Sequence, residues 1–107
     1  MISVMNKKVY KGMGVYIGRP SVLGNPFSHL EGTLAKYKVG SREEAVSKYK
    51  EWLRAEWVKG GAVKQELLRL VELSKQGDLV LICWCKPLPC HGTVIKEAIE
   101  KMAETLD

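Results

Sequence analysis

Leu79-Val80-Leu81-Ile82-Cys83-Trp84 decides the fold, and Cys85-Lys86-Pro87-Leu88-Pro89-Cys90-His91-Gly92 follows it without interruption. The first segment is continuously apolar, the pattern of a strand covered on both faces. Pro87 and Pro89 stiffen a short loop. A helix is predicted from near His91 to Glu104 or beyond, with Val94, Ile95, Ala98, Ile99 and Met102 on its buried side. A strand, a short loop and a helix together are the repeating half of an α/β fold.

Working back toward the N-terminus, Gly77 ends a helix predicted from Val63 to about Lys75, with Val63, Leu67, Leu70 and Val71 inward. Gly60-Gly61 separates it from an earlier helix. That one opens with Ser41-Arg42-Glu43-Glu44, the S-x-x-E pattern of a capping box, and repeats Ala45, Tyr49, Trp52, Leu53 and Trp57 along one face. The Trp52 and Trp57 stripe has core spacing and is read as core rather than as a stacking platform. Strands are predicted at Ile2 to Met5 and Val15 to Gly18, joined by the turn-rich Lys11-Gly12-Met13-Gly14. From Arg19 to about Gly40 the chain is irregular, because Pro20, Gly24, Asn25 and Pro26 disfavour a helix or central strand. Val22, Leu23, Phe27 and Leu30 argue for a packed loop there, with His29 at its surface. The order β, β, loop, α, α, β, α predicts a small single-domain α/β fold over residues 1–107, a layered, Rossmann-like sheet with flanking helices. Strand order is left open.

Bulk composition narrows the function. The 107 residues are 46% hydrophobic and 27% charged, as in soluble globular proteins. No run reaches the roughly 18 apolar residues of a membrane span. Met1 to Tyr10 lacks the apolar centre of a signal peptide and carries Lys7 and Lys8, so a cytoplasmic location without membrane contact is expected. The net charge of +5 suits an anionic small-molecule partner. Nucleic acid is less favoured, since the basic residues are scattered and no recognition motif is present. All three cysteines fall within eight residues, a poor disulfide framework. They suit a metal site, a reactive thiol or a buried strand end.

Three readings of that block compete. Cys90 and His91 stand near a helix N-terminus, where free N–H groups and the dipole favour a thiolate, so Cys90 is a candidate nucleophile and His91 a candidate acid or base. Alternatively Cys83, Cys85, Cys90 and His91 bind zinc; the ligand count is right, although C-x-C-x4-C-H is not a usual spacing. Or the cysteines are core, the favoured reading for Cys83 alone. A second segment, Tyr16 to Phe27, also runs from strand into a Gly/Pro-rich loop. There Arg19 offers a fork for phosphate or carboxylate and Asn25 an amide. Arg42, at a helix start, could face the same site.

Val15-Tyr16-Ile17-Gly18-Arg19-Pro20-Ser21, Leu23-Gly24-Asn25-Pro26-Phe27, Ser41-Arg42-Glu43-Glu44-Ala45 and the block from Cys83 to Gly92 together resemble the DUF4326 family. This is a family of small uncharacterised proteins of bacteria and their phages. The cysteine block is also similar to the ending of another uncharacterised family, DUF488. The resemblance implies that the two strand-to-loop segments share a pocket. One departure stands out: family members commonly carry an acidic residue where this chain has Thr93, so a mechanism that needs that carboxylate is not expected here. The expectation is one pocket lined by Arg19, Ser21, Asn25, Arg42, Cys90 and His91, with N–H donors at Gly92 and Thr93, for a nucleotide or another phosphorylated small molecule. The alternatives are a zinc-stapled protein-interaction module and a nucleic-acid-binding accessory protein.

Overall fold

The computed structural model describes residues 1–19, 21–28, 37–84 and 90–105. It shows a small α/β architecture with elements β1 (Ile2–Asn6), β2 (Val15–Tyr16), β3 (Phe27–Ser28), β4 (Tyr37–Lys38), α1 (Arg42–Lys59), α2 (Ala62–Gln76), β5 (Leu79–Cys83) and α3 (His91–Thr105). The apolar run is the central strand. β5 lies between β1 and β2, parallel to both, with Ile2 opposite Leu79, Asn6 opposite Cys83 and Tyr16 opposite Ile82. Backbone bonds from Lys7 N to Cys83 O and from Ile17 N to Ile82 O carry each ladder one step further. All three strands therefore finish at the same end of the sheet.

Alternation along β5 sorts its two faces. Leu79, Leu81 and Cys83 are buried in a core with Ile2, Ile17, Tyr49, Leu53, Leu67, Leu70, Ile95 and Ile99. Val80 and Ile82 are only half-buried and stand outside that core. The expectation of equal cover on both faces is thus corrected. The helical core closes on one face, and on the other the backbone around Gly14 approaches Val80 and Ile82.

The helices begin and end where local chemistry dictates. Ser41 Oγ accepts from Glu44 N at 3.1 Å, and Glu44 Oε1 accepts from Gly40 N at 2.9 Å, a reciprocal cap displaced by one residue. Gly60 and Gly61 have φ of 80° and 113°, which side-chain-bearing residues rarely adopt, so α1 stops and α2 starts there. In α2 the buried set is Val63, Leu67, Leu70 and Val71, matching the periodicity. Ala45, Tyr49 and Leu53 are buried on α1, with Trp52 and Trp57 packed half-buried against the core. α3 contacts β1, β5, α1 and α2.

The Arg19–Gly40 region is more structured than the sequence suggests. β3 and β4 form a parallel pair of two residues each, with the Phe27 and Tyr37 rings stacked at 5.2 Å. Leu23 is buried as expected, whereas Val22 is exposed. The predicted roles of His29 and Leu30 lie outside the described residues.

Candidate functional site

The site forms where β1, β5 and β2 end and α3 begins. Gly92 makes this junction possible. A Cβ there would stand 2.7 Å from Val4 Cγ1 and 3.1 Å from Ile17 Cδ1, so the first turn of α3 sits directly against a β1 side chain and that of the residue just after β2. Cys90 caps the helix: its Sγ accepts from Gly92 N at 3.4 Å and its carbonyl accepts from Thr93 N at 3.2 Å.

Around Cys90 three contacts converge. Its Sγ lies 3.2 Å from Cys83 Sγ and 3.6 Å from His91 Nδ1, and His91 Nε2 lies 2.7 Å from the Ile17 carbonyl oxygen. A carbonyl oxygen only accepts, so Nε2 carries the proton and donates it to Ile17 O. Nδ1 is left with a lone pair facing the Cys90 thiol. The sequence placed Cys90 and His91 side by side, and the fold makes that adjacency a contact.

Tyr49 closes the other side of the imidazole. Its ring meets His91 edge-on at 5.0 Å, and its hydroxyl donates to Leu23 O at 2.7 Å. The helical spacing of Tyr49 predicts an ordinary core residue. The available signal was its hydroxyl, because a tyrosine on an otherwise apolar helix face needs a buried acceptor. Nothing in the sequence marks the Ile17 carbonyl as the partner of His91.

The second segment does converge on the first, with its residues in different roles. Arg19 Nη1 donates to Asn25 O at 3.0 Å and Phe27 O at 3.4 Å, pinning the loop. Asn25 is buried and structural: its Nδ2 donates to Ala45 O and its Oδ1 accepts from Phe27 N. That ties the loop to the first turn of α1, three residues after Arg42, which opens the helix half-buried. Ser21 Oγ is a buried hydroxyl with no hydrogen-bond partner among the described residues. At the rim, Trp84 Nε1 donates to Tyr16 Oη, and Tyr16 Oη donates to Arg19 O, with Lys7 Nζ 5.4 Å from the Tyr16 ring centroid.

The electrostatics agree with this convergence. Burial pushes the His91 pKa below its ordinary 6.5; the Ile17 hydrogen bond and Cys83 oppose the fall, and the Arg19 cation adds to it. Above pH 6.5 His91 is therefore neutral in the fold. The unfolded chain binds its proton more readily, so the stability tied to neutral His91 is complete above pH 6.5 and is lost as pH falls from there toward the lower folded value. Tyr49 works oppositely: burial first, then Cys90, pushes it well above 10, so its share is complete below pH 10 and fades as pH rises further. Urea titrations at successive pH values should show a decline beginning near pH 6.5. His91→Gln should flatten the acid limb and leave the alkaline one; an unchanged acid limb would place its cause elsewhere.

Among the described residues no cluster of three or more His, Cys, Asp or Glu could hold a metal ion. The 3.2 Å between Cys83 and Cys90 sulfurs is also shorter than the roughly 3.8 Å edge of a zinc tetrahedron with bonds of about 2.3 Å. Cys85, the remaining member of the sequence-derived zinc set, lies outside the described residues. No helix among them is long and apolar enough to cross a membrane.

No curated protein and no solved structure matches this chain. The family model described as "Domain of unknown function (DUF4326)" matches residues 2–101, spanning β1 through most of α3 and so every residue of the Arg19–Cys90–His91 junction. The chain belongs to the DUF4326 family.

Proposed function

We propose that this protein binds a small phosphorylated molecule, a nucleotide included, at the end of the sheet where the loop that carries Arg19 and Ser21 approaches Cys90 and His91 at the start of α3. Arg19 is the observation that carries the reading. The residue is half-buried; its guanidinium is oriented by two loop carbonyls, has no carboxylate partner among the described residues, and is close enough for its charge to be felt at His91. A partly desolvated cation without a counter-ion favours an anion, and a planar guanidinium favours a phosphate or carboxylate. The Ser21 hydroxyl, without a partner among the described residues, supports the same reading, since buried polar atoms ordinarily find one. Asn25, spent on the loop and α1, is not a ligand group in this proposal.

Cys90 supplies the chemistry. Its thiol proton passes to His91 Nδ1, the thiolate attacks the bound electrophile, and the imidazolium returns the proton to the departing group. With Cys90 only 2% exposed, the reacting part of the substrate must be small.

A panel of nucleoside mono-, di- and triphosphates and sugar phosphates, read first by thermal shift and then by calorimetry, tests the binding claim. At least one member should bind, and Arg19→Ala should weaken it about 10–100-fold, the range for a charge-assisted fork. Arg19→Gln retains an N–H donor for the loop while removing the charge and should weaken binding comparably. Unchanged affinity in both variants, with both folded, overturns the anion role. Stoichiometric zinc in the purified protein, with unfolding on chelation, would instead support the stapled-module alternative. Binding confined to polynucleotides and strongly weakened by salt would support the nucleic-acid alternative.

A further inference from the structure

Cys83 has no part in that chemistry, yet its sulfur stands 3.2 Å from Cys90 Sγ, across a sequence separation of seven. We propose that Cys83 and Cys90 are a redox pair that a small two-electron oxidant, hydrogen peroxide, closes into an intramolecular disulfide. The bond itself does not depend on the anion-binding reading; only its consequence, removal of the nucleophile, does.

The geometry assigns the two sulfurs different roles. Cys90 caps a 15-residue helix and receives the Gly92 N–H, which both favour a thiolate, and it faces His91 Nδ1, whose lone pair can accept the thiol proton. It is the sulfur that attacks peroxide, giving a sulfenic acid and one water. Cys83, at the end of the central strand, then attacks that sulfenic sulfur; the S–S bond forms and a second water leaves. In sum, two thiols and one peroxide become one disulfide and two waters, the thiols giving up two electrons.

Closure requires little movement, since a bond of about 2.05 Å asks the sulfurs to approach by roughly 1.2 Å. Burial selects the oxidant. Cys83 is fully buried and Cys90 nearly so, which disfavours bulky disulfides such as oxidised glutathione and admits a reagent close to water in size. Burial also keeps the intermediate beside its partner and slows its further oxidation.

The test treats the folded protein with peroxide, then unfolds it in an alkylating reagent and weighs it. Two of the three cysteines should escape alkylation, the mass should lie two hydrogens below that of the reduced protein carrying one label, and dithiothreitol should restore both thiols. Tandem mass spectrometry of the chymotryptic digest should place the bond between Cys83 and Cys90. Cys85→Ser, with its melting curve checked, should form the bond at the wild-type rate. A bond involving Cys85, oxygen added to Cys90 without a disulfide, or three thiols still alkylated each overturns the proposal.

Discussion

Tyr49→Ala is expected to lower stability by about 3–5 kcal/mol, the usual cost of truncating a buried aromatic side chain. Small proteins hold only about 5–15 kcal/mol in total, so the variant should lose a large fraction of its stability. Three contacts are lost together. The fully buried ring packs edge-on against His91 and at 5.4 Å against Trp52, and its hydroxyl is the donor to Leu23 O. Tyr49→Phe separates the parts: it keeps the ring and strands a buried carbonyl, which should cost about 1–2 kcal/mol. Equilibrium urea unfolding of the two variants is the measurement. A loss in Tyr49→Ala below about 1 kcal/mol would mean the hydroxyl and ring are not clamped as described. Loss of anion binding in a still-folded Tyr49→Phe would show that this tyrosine also positions the loop after β2.

The second large effect concerns the two faces of β5. Leu81→Ala should cost about 2–5 kcal/mol, because the side chain is fully enclosed and the strands on both sides restrict collapse around the cavity. Val80→Ala, one residue away, removes fewer carbons from a half-buried position and should cost about 1 kcal/mol or less. In urea the midpoint should fall much further for Leu81→Ala while the slope of each transition stays constant. Equal losses would mean that the second face is sealed as firmly as the first.

The thiol pair and the anion site answer to different experiments. Peroxide treatment reads Cys83 and Cys90 whether or not a ligand is ever found. Arg19 substitutions read the ligand whether or not the thiols oxidise. If both hold, oxidation should block reaction at Cys90 while leaving Arg19 free to bind, so ligand affinity would survive and turnover would not.

Elements whose information is local are legible in the sequence. The cap at Ser41, the break at Gly60-Gly61 and the inward faces of α2 and α3 follow from periodicity and backbone preference, which act within a few residues. The Cys90-His91 pair at a helix start was legible for the same reason. The tertiary structure alone decided what depends on contacts between distant segments. It set β5 between β1 and β2, left one sheet face half-covered, paired β3 with β4 inside a stretch read as loop, and turned Arg19 and Asn25 inward to hold that loop. It also brought Ile17 O to His91 and Cys83 to Cys90, across separations of 74 and seven residues. A residue type states which bonds a side chain can make; only the packed chain decides which partner is within reach.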